Sequence, residues 1–545
     1  MLSRALIDSL FDADLPTVEQ LAAQYPPRAL APGAKVTRFA PSPTGFVHIG
    51  GVYVATIARD VAHHTGGSYF VRIEDTDLAR VVESSGEQFV RAFSYFDIAS
   101  DESDADPWGP YEQSKRARIY ESHVRQLLYD DRAFICFATK EELAASTLEQ
   151  QAEKIPPGYY GRWATWRDAT EDQVVAALEA GKPYVVRFRA PEGPRGRAAY
   201  DDLIRGRIEQ DDNINCVVIL KTSDQPPRLP TYHLAHAVDD HLMGVTTVIR
   251  GDEWIPSVPV HHQLFDALGF PHVEYAHIAP LMKTEGGSKR KLSKRKDPEA
   301  SVDFFIEAGY PADAVKYYLR GLANSRIAEL PIAEALVAPI HLAECGVAGP
   351  LVDMAKLENI SRDVIGDLTT AEVLDAVRTW AAAHDPELLA VLDSDPDLAR
   401  RAIGVERDVP EPRKDLGRWS TFREIYAFFF PALFAPVTDP ADERFAGLDP
   451  ETVRSVATAF ADAYTSGTDR DVWFDQVRTV ARDHGYAPGP AEWKADQAAY
   501  KGQLRPIANV IRVALTGSSK SPDLFEVSNA LGDDEVLRRL RAVGG

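Results

Sequence analysis

The chain has 545 residues, 45% hydrophobic and 26% charged, with a formal net charge of −22. That length exceeds what one compact core organises, so several domains are expected, and no apolar run is long enough to cross a bilayer. Three widely spaced cysteines, Cys136, Cys216 and Cys345, argue against a disulfide framework and fit a reducing cytoplasm; the N-terminus carries early acids and does not read as a secretory signal.

Residues 1–34 read as an N-terminal extension with a short amphipathic helix and a Pro-rich end. Lys35 to Ala40 alternates as a strand. The loop Pro41-Ser42-Pro43-Thr44-Gly45 follows, and His48-Ile49-Gly50-Gly51 opens a helix running to His63. A second strand, Ser68 to Ile73, leads into Glu74-Asp75-Thr76-Asp77. Strand, Gly-rich turn, helix and strand open a doubly wound nucleotide-binding sheet. From Cys136 the texture changes, with strands at Tyr184 to Arg189 and Cys216 to Lys221 inside a predicted insertion. The α/β pattern returns with a strand ending at Val248-Ile249-Arg250-Gly251 and a helix from Val258 to Leu268. Beyond about residue 300 strands become scarce, and Val453, Val456, Phe460 and Tyr464 share a helical face. The fold class predicted is α/β, a Rossmann-like parallel sheet split by an insertion, followed by an all-α region.

Two motifs carry chemistry. At His48-Ile49-Gly50-Gly51, backbone N–H groups at a helix start can meet phosphates, and the glycines let a base lie against the main chain. His48 can donate to phosphate oxygens as charge develops. Alone, the motif reads equally as a tight strand-to-helix turn with a surface histidine. Lys291-Leu292-Ser293-Lys294-Arg295 sits in a basic cluster, Lys289 to Lys296, within an otherwise acidic chain. Two lysines on a mobile loop can close over a triphosphate; alone, the run reads as a solvated basic loop.

Together the pair resembles the two signature motifs of class I aminoacyl-tRNA synthetases, with Gly51 standing where the class signature has a second histidine. The flanking segments, from Arg38 to Gly45, Arg72 to Asp77, Thr231 to Ala235, Val238 to Gly244 and Val248 to Trp254, resemble glutamyl-tRNA synthetases of the bacterial type. The resemblance spans roughly 35–330 and returns between Leu504 and Phe525. It implies that Arg38, Ala40, Ser42, Glu74, Tyr232, His236 and Arg250 line a glutamate pocket. It implies ATP at His48, Gly50, Gly51, Glu253 and Lys294, with His48, Lys291 and Lys294 catalytic. A substrate with two carboxylates and an ammonium suits that set: an arginine for a carboxylate, an acid for the amine. Glu74 and Asp75 could instead cap a helix, and Arg250 could be a structural ion pair.

The resemblance also divides the chain. It implies catalytic halves at 35–135 and 226–300, an acceptor-end-binding insertion at 136–225, a stem-contact linker at 301–375 and a helical anticodon-binding domain at 376–545. Arg413, Lys414, Arg418 and Trp419 form a basic stretch with an aromatic that could contact tRNA; a solvated helix end is the alternative. ATP with Mg²⁺, L-glutamate and tRNA(Glu) are the implied partners of a cytoplasmic monomer with no membrane association. Some relatives carry Cys-x-Cys and Tyr-x₃-Cys in the insertion; here Ala138 follows Cys136 and Trp163 follows Tyr159, so no zinc is expected. A glutamine-specific relative would carry Pro-Glu-Pro-Asn-Gly in place of Pro-Ser-Pro-Thr-Gly, and a truncated tRNA-modifying relative would lack the helical tail. A retired, non-catalytic paralogue should have lost His48, Lys294 or Arg250, and a plain nucleotidylyltransferase would have no use for that tail.

Overall fold

A computed structural model of the chain describes residues 1–43, 45–78, 85–193, 195–445, 447–465, 467 and 469–544, so Thr44 of the Pro-rich loop lies outside the described residues. The strands are β1 (Val36–Phe39), β2 (Ser68–Val71), β3 (Ala133–Cys136), β4 (Val185–Phe188), β5 (Arg197–Asp202), β6 (Gly206–Asp211), β7 (Val218–Leu220), β8 (Thr247–Gly251), β9 (Glu274–Ile278), β10 (Met282–Glu285) and β11 (Ser288–Lys291). Packing divides the chain into two compact units: Met1–Phe304 with Lys316–Asp353, and Phe305–Val315 with Met354–Gly545.

In the first unit, β1 pairs in parallel with β2 through the crossover helix Ile49–His64, and β8 pairs in parallel with β9 through Val258–Leu268. Thr246 joins the pairs: its N–H donates to the Val36 carbonyl at 3.0 Å, and its hydroxyl accepts from the Val36 N–H at 2.9 Å. The order across this sheet is therefore β2-β1-β8-β9. Crossovers leave β1 and β8 toward opposite edges, which opens a crevice at the carboxyl ends of these strands. The inner strands are buried on both faces, including Thr37, Arg38, Thr247 and Arg250 as well as their apolar residues.

Strands β3, β4 and β7 make a separate antiparallel sheet. The β5–β6 hairpin, inside the expected insertion, joins the main sheet instead, through the parallel partnership of Asp202 with Tyr275 on β9. The N-terminal extension is built into the same core: Ile7, Phe11, Leu15, Leu21 and Tyr25 are buried with Val36, Leu127 and Phe134. Arg228 donates to the Leu10 carbonyl at 2.9 Å and stacks on Phe11, while Ser3 donates through its N–H and hydroxyl to Glu171 at 2.6 and 2.7 Å.

The second unit is helical among its described residues. Its core contains Val373, Val377, Trp419, Val453, Val456, Phe460 and Trp473, so the face read at 453–460 is an interior one. No helix among the described residues is long and apolar enough to cross a membrane. Ile7 is 1% exposed. Ile7→Ala is expected to destabilise the first unit by about 2–5 kcal/mol, read as a lower midpoint in urea unfolding; an unchanged midpoint would show the extension to be peripheral.

Candidate functional site

A cavity of about 390 Å³ occupies the crevice. β1 and its exit supply Arg38, Phe39, Ala40 and Ser42; the helix start supplies His48, Gly50 and Gly51. Glu74 follows β2, Tyr232 opens the helix Tyr232–Leu242, and Ile249, Arg250 and Gly251 end β8. Glu253, Trp254 and Lys291 complete the rim. Eleven of the positions singled out in the sequence, separated by up to 253 residues, line this one cavity: Arg38, Ala40, Ser42, His48, Gly50, Gly51, Glu74, Tyr232, Arg250, Glu253 and Lys291.

His48 caps the crossover helix, its Nδ1 accepting the Gly50 N–H at 2.9 Å. A Cβ on Gly50 would come within 2.9 Å of that nitrogen, and one on Gly51 within 3.1 Å of the Phe39 ring. With Nδ1 an acceptor, the proton of the neutral ring sits on Nε2. Burial, and then the charge of Lys294, lower the His48 pKa to about 4, against a hydrogen bond at the Leu292 backbone. The basic loop therefore reaches the helix start. Lys294 Nζ donates to the Phe46 carbonyl at 2.6 Å and lies 4.7 Å from the Phe46 ring centre, while Lys291 Nζ is 3.2 Å from Glu253. Lys291 lines the cavity; Lys294 stands beside the turn leading to His48. Asp297 pins the loop base by accepting from Arg290 at 2.6 and 2.8 Å and from the Ser293 N–H at 2.9 Å.

Behind the cavity wall runs a buried ionic network that sequence reading did not assign. Asp240 accepts from Arg72 at 2.6 Å and from Arg38 at 3.3 Å, and Arg72 also reaches Glu74 at 3.2 Å. Its neighbour Asp239 accepts from Arg116 at 2.8 Å, Tyr120 at 2.7 Å and Gln113 at 2.9 Å. Burial would raise the Asp240 pKa, but Arg38 and Arg72 overcome it and hold the carboxyl well below its usual range. Burial raises the Glu74 pKa, with Arg72 and Arg38 opposing. The available signal was Asp239-Asp240 on a helix that buries Leu234, Ala235, Ala237, Val238 and Leu242, where acids face inward only if paired. Asp75 caps structure instead, accepting from the Ser114 N–H at 2.7 Å.

Arg250 is treated differently. It is 6% exposed, and the groups it bonds are uncharged: His277 Nε2 at 3.1 Å, Tyr232 Oη at 3.0 Å and, more distantly, the Trp254 carbonyl and His261 Nδ1 at 3.5 Å. Its guanidinium also stacks 4.7 Å from the Tyr275 ring. It is not the structural ion pair that sequence left open.

Three expectations shift. His236 does not line the cavity: it is fully buried behind Tyr232, with the rings 5.8 Å apart, its Nε2 at 2.9 Å from Tyr275 Oη and its Nδ1 at 2.8 Å from Asp240. A ring on the inward face of the helix, four residues after Tyr232, packs beneath it. Trp419 is 7% exposed and belongs to the second unit's core, so its face is not offered to a base. Arg418 pairs with Glu358 at 3.2 Å, Lys414 with Asp363 at 2.9 Å, and Arg413 with Asp415, so each of these cations already has a carboxylate. Around Cys136, Arg187 Nε donates to the thiol sulfur at 3.3 Å and its guanidinium stacks 4.1 Å from Tyr159.

Residues 35–357 match the family described as tRNA synthetases class I (E and Q), catalytic domain, and residues 495–543 match an anticodon binding domain. A glutamate–tRNA ligase of Clostridium perfringens (strain 13 / Type A) is 39% identical over 534 residues, covering 96% of this chain and 97% of that one. One from Sorangium cellulosum is 36% identical over 564 residues, with 96% and 97% covered. The crystal structure of a glutamate tRNA ligase from Elizabethkingia meningosepticum, in complex with its amino acid, superposes with a TM-score of 0.76 at 27% identity, covering 93% of this chain and 99% of that one. A catalytic-domain match over more than half the chain, joined to near full-length relatives above 30% identity, establishes that this chain belongs to the class I tRNA synthetases of the glutamate and glutamine type.

Proposed function

We infer that this chain is an ATP-dependent glutamate–tRNA ligase. The observation that carries the reading is Arg250: a buried guanidinium at the cavity wall whose bonded groups are all uncharged. A buried cation without a counter-charge is costly, and a ligand carboxylate relieves that cost. Arg38, by contrast, arrives already paired with Asp240.

In the reaction proposed, the side-chain carboxylate of L-glutamate bonds Arg250 and the Tyr232 hydroxyl, and Glu74 takes the α-ammonium. An oxygen of the α-carboxylate attacks the α-phosphate of ATP; the P–O bond to the β-phosphate breaks and pyrophosphate leaves. The 2′-hydroxyl of the terminal adenosine of tRNA(Glu) then attacks the glutamyl carbonyl, and AMP departs with the bonding pair. Adenylation needs charge stabilisation and alignment rather than a general base, since the nucleophile is already ionised. His48, donating through Nε2, and the ammonium of Lys294 supply it, while Lys291 exchanges Glu253 for phosphate. ATP lies over Gly50 and Gly51, with Mg²⁺ carried by the phosphates rather than by a protein cage. We assign the acceptor end of the tRNA to the insertion at 136–225, stem contacts to 301–375 and the anticodon to 376–545. A zinc-free monomer in the cytoplasm completes the reading.

The histidines around Arg250 support it by staying neutral. Burial, with Arg250 adding to it, lowers the His233 pKa to about 4; burial, despite Asp240, lowers His236 to about 4. His261 is held well below the usual histidine range by burial, and then by His236 and Arg250. These folded-state values lie below the ordinary histidine value of 6.5, so the unfolded chain binds more protons between the two. Stability from these groups is full above about pH 6.5 and falls as pH drops toward about 4. The thermal unfolding midpoint is therefore expected to decline on acidification from pH 7 to 5, and a flat profile would contradict neutral histidines.

Arg250→Gln should lower kcat/KM for glutamate by at least about 100-fold, the scale for removing one partner of a buried charge pair; purified enzyme with ATP, tRNA and labelled glutamate or glutamine measures this. Preferential charging with glutamine by the unaltered enzyme would reverse the substrate assignment. Lys294→Ala should slow adenylate formation by about 10²–10³-fold while leaving tRNA affinity nearly constant. Full activity in that variant would remove Lys294 from the mechanism.

A further inference from the structure

His277, on β9, is fully buried between two groups of opposite charge. Its Nδ1 lies 2.6 Å from Asp202 Oδ2 and its Nε2 lies 3.1 Å from Arg250 Nε. A carboxylate only accepts, so the ring proton sits on Nδ1 and Nε2 presents a lone pair to the guanidinium. Asp202 is itself fixed. Oδ1 accepts from the N–H groups of Ile204 and Arg205, both at 3.0 Å, and Oδ2 accepts from the His277 N–H at 3.1 Å. Both oxygens are thus committed to donors, which is what a carboxylate provides and an amide does not.

The arrangement keeps one imidazole between the acid and the guanidinium. Bonded directly, Asp202 would cancel the charge, as Asp240 does for Arg38. Through the ring it orients Arg250 and leaves the cation for a ligand. Burial keeps His277 uncharged, against the pull of Asp202.

We propose that Asp202 and His277 are positioning residues that set selectivity for a side-chain carboxylate over a carboxamide, by holding Arg250 rigid with its charge uncancelled. This rests on the assignment of Arg250 to the glutamate side chain. Asp202 reaches the site from the β5–β6 hairpin, at that hairpin's register partnership with β9.

The test uses the full-length enzyme with ATP, tRNA and either glutamate or glutamine. In Asp202→Asn the amide oxygen can serve the Ile204 and Arg205 N–H groups only by turning its NH₂ toward His277. That moves the ring proton to Nε2, where it opposes the Arg250 N–H. The KM for glutamate should rise at least about 10-fold, the scale of one hydrogen bond to a charged group. The KM for ATP, and kcat at saturating glutamate, should change less than about 3-fold, since the loss is in glutamate binding. Adding H277Q to D202N should restore the glutamate KM, because an amide carbonyl accepts from Arg250 without a tautomer to choose.

His277→Glu places a charge directly on the guanidinium and should lower the glutamate-to-glutamine ratio of kcat/KM at least about 10-fold. A wild-type glutamate KM in folded D202N, a defect that H277Q does not relieve, or an unchanged ratio in H277E would overturn the inference. If D202N fails to fold, judged by its thermal melt, H277E decides. Arg250→Gln separates the two levels: undiminished glutamate use there defeats the assignment of Arg250, whereas a defective R250Q beside an unaffected D202N defeats only the role of Asp202 and His277.

Discussion

The site depends on the buried ion network of Arg38, Arg72 and Arg116 with Glu74, Asp239 and Asp240. Each of these ions would be expensive to bury alone. Together they tie β1, the segment after β2, the helix Ala117–Tyr129 and the helix Tyr232–Leu242 into one arrangement. Removing a member leaves its partners buried without a counter-charge, so the geometry tolerates little variation. Arg38 and Glu74 are the cavity-facing ends of this frame, which is why a side chain from β1 and one from the segment after β2 hold a fixed separation. The frame reaches the extension as well, since Arg116 stacks 5.2 Å from Tyr25.

The frame and Arg250 solve opposite problems with the same residue type. In the frame, arginines meet carboxylates and the charges are spent on architecture. At Arg250, imidazole, phenol and a main-chain carbonyl accept the N–H bonds, and the charge remains available. Neutral acceptors are the means by which a low-dielectric interior orients a cation without consuming it. His277 and His261 meet that requirement as ring acceptors to Arg250, and burial holds both below the usual histidine range.

Local pattern and motif carried much of this into view. The strand at Val36, the helix after His48, the strand ending at Gly251 and the helix Val258–Leu268 follow from alternation, glycine placement and apolar runs. The motifs also brought Arg38, Glu74, Tyr232 and Arg250 to one cavity. What escaped depended on tertiary neighbours. Asp202 and His277 lie 75 residues apart and carry no local signature. His236 and Tyr232 sit on one helix, and sequence spacing alone does not say which faces the cavity and which backs it. Trp419 read as a surface aromatic because its neighbours are basic, yet those neighbours pair with acids and the ring turns inward. The β5–β6 hairpin leaves the insertion for the main sheet through one register pair, too short a signal to see in composition.

The N-terminal extension has a consequence for biosynthesis. Ile7, Phe11 and Leu21 are made before the groups that cover and tie them: Leu127 and Phe134 share their core, Arg228 binds Leu10 across 218 positions, and Arg28 binds Met243 across 215. At about 5–20 residues per second, about 10–45 seconds separate this segment from those two most distant partners. The last ties of this segment to the first unit thus wait until residues as far as Met243 have been made.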